Sequence, residues 1–589
     1  VLLAASAAAL LGLTAAPALA QDTPDPSTTL PETSSTSSTL PPPEAQALAG
    51  GTKGHPIAAA TEDLAARGYT ETEALLRGTA QLHGPKGAWR SDGEWDTTDL
   101  GPVDYATRLL VRRPSDPARF DGTVYVSWLD VSAAVDFDAV WAQVGEEVQR
   151  QGAAWVGVSA QYLGIQGPLG AKAWDPPRYG ELSSPGDGAS YDIFTQAAQL
   201  LRAGGSGDPL AGLAAQRRLI AVGAGQSAQR LVTYLNAFQP SSRAFDGFLL
   251  LSRFRGAAPL GRALLPPAEA VDPDGSKDLP YLPDPLAALL SGPPAAQVRA
   301  DTDVPVFTVI TETEARKDRP ILQPDGDLSR TWEIAGATHA DATATAALKE
   351  QLRRDFPKVP LGQLECKQPN DLPTRYADRA ALRALATWVA TGTPPPTAKP
   401  IDRTRGGDLQ RDADGNAKGG LRLPQLAVPT AAYSGESSGT GYCALTGSAV
   451  PFSASALAKR YPTPEAYVTE LGQAIDAAVA AGHLLPEDAA ELLQVTPVPG
   501  TQASAAAVAS GEVDLGSSAA PAGPAASERQ DAAEPSASAE VEAQQSSRAA
   551  RGWMATTGRD LLTPLLAGLL LVLNGRVVMT IARQRRRAS

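Results

Sequence analysis

Between roughly Gly50 and Gln494, short apolar, β-branched runs alternate with longer stretches of helical character. The runs are Thr107–Val111, Val124–Trp128, Trp155–Val158, Leu219–Val222, Phe248–Leu251, Val304–Ile310 and Trp332–Ile334. Each is bounded by Gly, Pro or charged residues, as strands buried on both faces of a parallel sheet are. Helix-like stretches lie between them at Asp138–Gln151, Tyr191–Ala203, Ala228–Phe238 and Ala342–Asp355. This alternation predicts an α/β, three-layer sandwich around a mainly parallel central sheet. Gly256–Val298 breaks the rhythm with many Pro, Ala and Leu residues and no clear strand. It reads as a Pro-rich insertion, either a lid over a site or a surface excursion. Arg379–Gly392 and Tyr461–Leu492 read as later helices that wrap around the sheet rather than form a second domain. One folded domain over 49–495 is expected.

The flanks have a different composition. Residues 1–20 are mostly Leu and Ala, without charge, and end Ala18-Leu19-Ala20, the small-x-small pattern of a signal-peptide cleavage site. A starting Met and a basic leading region are missing, so this export signal reads as clipped at its start. Residues 21–48 are rich in Ser, Thr and Pro, and 496–552 in Ala, Ser and Glu. Neither buries enough apolar surface to offset chain entropy, and both read as disordered segments, the second as a stalk. Residues 561–582 are mostly apolar and about the roughly 20 residues a bilayer core requires. Arg583, Arg585, Arg586 and Arg587 follow in a basic tail, 583–589. A transmembrane helix with a cytoplasmic C-terminus and an extracytoplasmic body is expected, anchored in the cell envelope. Arg576 inside the span carries a cost of roughly 2.5–3.5 kcal/mol at mid-membrane, relieved if it snorkels to the inner face. The competing reading of this stretch is an interfacial helix.

The formal net charge of the 589 residues is −13. With no Lys/Arg stripe in the body, nucleic acid is not an expected partner, because its phosphates need a basic footprint. The two cysteines, Cys366 and Cys443, suggest a disulfide in an exported chain; two unpaired buried thiols are the alternative. Asp412-Ala-Asp414-Gly-Asn416 briefly resembles a calcium loop, but its Gly is misplaced and no Glu stands at the twelfth position. A turn is expected there, and no metal site.

The chemistry concentrates at Leu219-Ile-Ala-Val-Gly223-Ala224-Gly225-Gln226-Ser227-Ala228-Gln229-Arg230, where a strand runs into a Gly-rich corner and then a helix. Two chemistries use such a corner. One is the nucleophile elbow G-x-S-x-G, whose helix N-terminus favours developing negative charge. With Gly223 in first position the nucleophile slot holds Gly225; slid by two residues, it holds Ser227 but ends on Gln229, where a small residue is wanted. The other is the dinucleotide fingerprint, which Gly223-Ala-Gly225-Gln-Ser-Ala228 matches as G-x-G-x-x-A. Arg253, at the end of the next strand, would then meet a 2′-phosphate. That fingerprint usually opens a fold, whereas several strands precede this one.

Downstream residues separate the two. Trp332-Glu-Ile-Ala-Gly336-Ala-Thr-His339-Ala-Asp341 is a short strand followed by a small-residue loop bearing one of only four histidines, in the place of a general base. Glu314 would orient that imidazole; Glu312 is a close rival, Asp325 and Asp327 weaker ones. Elbow, acid, His is the chain order of α/β-hydrolases. Backbone N–H groups of Gln226 and Leu129 are the candidate oxyanion donors. Asp130 beside them opposes an oxyanion if its carboxylate points inward.

These residues resemble the bacterial alpha/beta hydrolase domain-containing proteins. The resemblance rests on Arg108-Leu-Leu-Val-Arg-Arg-Pro, Phe120-Asp-Gly-Thr-Val, Trp155-Val-Gly-Val-Ser-Ala-Gln, Tyr191-Asp-Ile-Phe, Thr311-Glu-Thr-Glu, Trp332 through Asp341 and Asp414-Gly-Asn-Ala-Lys-Gly-Gly. It implies an α/β-hydrolase-like core and esterase-like ancestry, without a metal or organic cofactor. It further implies G-x-S-Q-S-A at the turn. Gly223, Gln226, Ser227 and Ala228 match that pattern, and the nucleophile position falls on Gly225. Glu314 and His339 carry over as acid and base. Three readings follow. The chain is an envelope esterase using Ser227, His339 and Glu314 on a small acyl or ester substrate. It is a catalytically inactive hydrolase-fold protein that binds a ligand or partner in the old pocket. More remotely, it is an NADP-dependent oxidoreductase.

Overall fold

The computed structural model describes residues 40–205, 207–260, 295–316 and 323–500. Nine strands form one sheet. They are β1 (Glu44–Ala47), β2 (Tyr69–Lys86), β3 (Asp96–Pro114), β4 (Thr123–Trp128), β5 (Ala154–Val158), β6 (Arg218–Ala224), β7 (Gly247–Leu251), β8 (Val306–Thr311) and β9 (Ser329–Ile334). Their order is β1-β2-β3-β5-β4-β6-β7-β8-β9. From β5 to β9 every neighbouring pair is parallel. The run Thr107–Val111, expected as a parallel strand, is instead part of an antiparallel one: β3 pairs with β2 and with β5 in that sense. Its partner β2 escapes a sequence reading because Glu, Arg, Gly and Gln interrupt its apolar residues.

Each parallel strand feeds two cores, and this is why it reads as an unbroken apolar run. On β6, Ile220 and Val222 join one cluster while Leu219 and Ala221 join the other; Leu249 and Leu251 on β7 divide from Phe248 and Leu250 in the same way. Helix α1 (Ala139–Gln151) covers the first face, and α2 (Ser190–Ala203) and α3 (Gln226–Ala237) cover the second. Further along come the short α4 (Glu312–Ala315), then α5 (Ala342–Asp355) and α6 (Arg375–Thr391), which joins the first cluster, and finally α7 (Pro464–Ala480) and α8 (Pro486–Val495). Asp488 of α8 pairs with Arg150 of α1 and Arg379 of α6, while Arg383 of α6 reaches Glu147 of α1 and Glu487 of α8. The C-terminal helices are thereby bolted to the sheet's own layer. The strand order reverses at β4, which lies between β5 and β6. Loops leaving the C-terminal ends of β4 and β6 therefore flank a crevice, the place where α/β sheets hold ligands.

Cys366 and Cys443 form a disulfide that closes a separation of 77 residues. The segment beside Cys443 braces the histidine loop, because Leu445 O accepts from Thr338 Oγ1 and from Ala340 N–H. Replacing both cysteines by Ala is expected to cost about 4 kcal/mol of unfolding free energy in the loop-entropy picture. Urea denaturation measures it, and a loss under about 1 kcal/mol contradicts that role.

Among the described residues no helix is long and apolar enough to cross a membrane. The expected export signal (1–20), the anchor (561–582) and much of the Pro-rich insertion (261–294) lie outside them. Asp412–Asn416 is a turn: Asp412 Oδ1 accepts from the N–H groups of Asp414 and Asn416, and Arg422 and Arg460 neutralise its carboxylates.

Candidate functional site

β6 ends at Ala224 and α3 begins at Gln226, so Gly225 alone makes the turn. Its dihedrals are φ 56°, ψ −114°, a conformation costly to any residue with a side chain. Its N–H donates to Leu251 O at 3.0 Å. A Cβ built on Gly225 lies 3.1 Å from both Nε2 and Cε1 of His339 and meets nothing else within 4 Å outside its chain neighbours. The missing side chain would thus project onto the imidazole. Gly223 serves packing: a Cβ there would come within 2.9 Å of Ser227 C and 3.0 Å of Ala228 N, so only glycine lets strand and helix approach.

His339 sits beyond β9, and its Nδ1 lies 2.6 Å from Glu314 Oε1. The other Glu314 oxygen accepts from Thr311 N–H at 2.9 Å and Thr311 Oγ1 at 2.6 Å, a capping box that fixes the carboxylate at the start of α4. A carboxylate can only accept, so Nδ1–H is the donor in this pair. The histidine N–H donates to Thr313 Oγ1, and the ring stacks on Phe254 at 4.8 Å. Glu312 has a different task. It accepts from Gly336 N–H and Gly435 N–H and pairs with Arg411, tying the histidine loop to the C-terminal segment. Asp325 pairs with Arg330, and Asp327 is exposed. The structure therefore brings Gly225, His339 and Glu314 together.

Ser227 is placed elsewhere. It lies in the first turn of α3, buried, with no hydrogen-bond partner for Oγ. The buried carboxyl of Asp130 interacts with both Ser227 and His339.

Of the two expected oxyanion donors, Leu129 is corrected. Its N–H donates to Val158 O at 3.3 Å, and that of Asp130 is spent on Phe137 O in a bridge that closes the loop after β4. Gln226 differs, because as the first residue of α3 its N–H has no intrahelical acceptor. Its side chain is fixed by a chain of one-way bonds. The Trp128 indole can only donate, and it does so to Gln161 Oε1, which also accepts from Gln226 Nε2. Gln161 Nε2 in turn donates to Asp187, which pairs with Arg230. Arg253, the candidate for a 2′-phosphate, is fully buried and donates to Ala296 O; burial pulls its pKa down to about 9.

Burial raises the pKa of Asp130, opposed by hydrogen bonds from Ser132 and by its proximity to His339 and Ser227. A raised carboxyl favours the unfolded chain once it ionises. The penalty is absent below the ordinary carboxylate range, grows as pH rises through it, and is complete above the folded value. Asp130→Asn is therefore expected to increase unfolding free energy at neutral pH and to lose that gain near about pH 3. Denaturation at the two pH values checks it; a loss of stability at neutral pH contradicts it.

Sequence reasoning missed Phe254, Gln161 and Thr311. The spacing Thr311-x-x-Glu314 is a capping-box signal that favours Glu314 over Glu312 on sequence grounds alone. A cavity of about 310 Å³ lies elsewhere, walled by residues that include Arg112, Trp141, Gln143 and Arg379, and it touches none of Gly225, His339 or Glu314.

Residues 41–494 match the alpha/beta hydrolase domain family. Similar solved structures include a putative dienelactone hydrolase from Klebsiella pneumoniae, at 12% identity over 47% of this chain and 98% of that one, with a TM-score of 0.22. A thermostable esterase from Pseudomonas putida is 14% identical over 43% of this chain and 66% of that one, with a TM-score of 0.22. A glucuronoyl esterase from Teredinibacter turnerae is 13% identical over 46% and 61%, with a TM-score of 0.21. No curated protein matches the chain.

Proposed function

The chain belongs to the alpha/beta hydrolase domain family, and from that premise we propose that it is an esterase-derived protein that takes an acyl or ester compound at the elbow without forming a serine adduct. One observation carries this reading. The position whose side chain would face His339 is Gly225, which has no atom able to attack a carbonyl. The Glu314–His339 pair and the Gln226 N–H supply the rest of an acyl-binding site. The alternative nucleophile, Ser227, has no hydrogen bond to a base. The apolar stretches at 1–20 and 561–582 and the Cys366–Cys443 disulfide support an exported, membrane-tethered body of the cell envelope.

Ligand-detected NMR with ethyl butyrate tests the binding claim. Saturation transfer to the ester is expected with the full chain. It should be lost in Gly225→Val, whose branched side chain would press on the His339 ring. Equal transfer to both proteins contradicts an elbow site.

A further inference from the structure

We infer that the His339–Glu314 pair activates water directly, so that this protein hydrolyses esters in a single displacement; the inference rests on the reading of Gly225 as the vacated nucleophile position. Three observations carry it. Within 4 Å of a Cβ built on Gly225 stands only the His339 ring edge, at 3.1 Å, so the turn offers the base no nucleophile of its own. The base is built and aimed: Glu314 holds Nδ1 at 2.6 Å, both Glu314 oxygens are engaged, and Nε2 is the ring nitrogen turned to Gly225. Finally, the buried carboxyl of Asp130 interacts with both His339 and Ser227, and its Oδ1 accepts from Ser132 N–H. A water with one hydrogen on Nε2 and the other on Asp130 has its lone pair turned outward to a bound carbonyl. In a serine esterase a second acceptor beside the hole works against the oxyanion. Here it fixes the attacking molecule.

The step balances without any other reactant. The water oxygen bonds to the carbonyl carbon as one of its protons passes to Nε2. The carbonyl electron pair moves onto oxygen, next to the Gln226 N–H. On collapse the ester C–O bond breaks, and the departing alkoxide takes the proton back from His339. One ester and one water give one acid and one alcohol. His339 is the catalytic residue, Glu314 positions it, and Asp130 orients the water.

The experiment is steady-state and pre-steady-state hydrolysis of p-nitrophenyl acetate by the full-length chain, with intact-mass spectrometry during turnover. Expected is a rate about a hundredfold to ten-thousandfold above buffer, no burst, and no acetylated protein. His339→Ala should fall to the buffer rate. Glu314→Gln should keep the fold, checked by circular dichroism, while the pH profile of the rate shifts with the altered imidazole. Asp130→Asn should lower kcat more than it raises KM. Because His339→Ala removes a packed ring, a primary solvent deuterium effect on the native protein is the independent check of proton transfer. Buffer-level rates with no acetylated protein overturn the inference and leave non-covalent binding standing. A burst with acetylated protein overturns the inference and the reading of Gly225 together.

Discussion

Gly225→Ser is expected to convert a protein that ignores fluorophosphonates into one that is labelled to stoichiometry and shows an acylation burst with p-nitrophenyl acetate. The added Cβ falls 3.1 Å from Nε2 of His339, and one further bond brings a hydroxyl into reach of the base. The base needs no rebuilding, because Glu314 already holds it. The substitution has a cost. At φ 56°, ψ −114° a side chain strains the backbone by about 1–3 kcal/mol, so the variant should be less stable as it gains reactivity. A gain in labelling together with a loss in stability is the signature of an elbow refilled. Labelling should vanish in Gly225→Ser/His339→Ala. The gain should grow when Asp130→Ala is added, since removing that carboxylate leaves the oxyanion unopposed.

Arg108→Met should be the most destabilising single substitution near the site. Arg108 is fully buried between two carboxylates: Glu73 on β2, at 2.5 Å, and Asp136 in the loop after β4, at 3.0 Å. Its Nε donates to Ser159 Oγ and its Nη1 to Ile57 O. Methionine replaces the volume and none of the charge. Glu73 keeps Arg178 and Tyr179, but Asp136 retains only the Ser159 hydroxyl, and its Oδ1 already has no partner. Leaving a buried carboxylate this exposed to low dielectric costs about 3–5 kcal/mol. The same substitution loosens the loop that carries Asp130, so a change in any water-dependent rate should accompany it. Chemical denaturation measures the loss, and a value under about 1 kcal/mol contradicts the role assigned to Arg108.

The parallel half of the sheet was legible because burial on both faces leaves a plain record. Leu219–Val222 and Phe248–Leu251 have no polar residue to obscure them. The β2–β3 hairpin was not, because part of it is solvated and its charged residues, such as Glu73 and Arg108, are satisfied by one another rather than by water. At the site, His339 and the turn were readable from order and spacing, whereas Glu314 stood beside a close rival, Glu312, which the 2.6 Å contact with His339 separates from it. The vacancy at Gly225 was readable from a resemblance of motif, and its dihedrals and the direction of its absent Cβ supply the physical reason. The fate of Leu129 N–H was not legible. Whether a loop amide faces a pocket or closes a bridge depends on Val158 and Phe137, neither of which announces that pairing in sequence.

The deciding measurement is the mass of the intact native chain after exposure to a fluorophosphonate, with peptide mapping of any adduct. An unchanged mass is expected under conditions that label Gly225→Ser at position 225. A phosphonyl adduct on the native chain that maps to Ser227 and disappears in Ser227→Ala would contradict the assignment of Gly225 as the vacated nucleophile position.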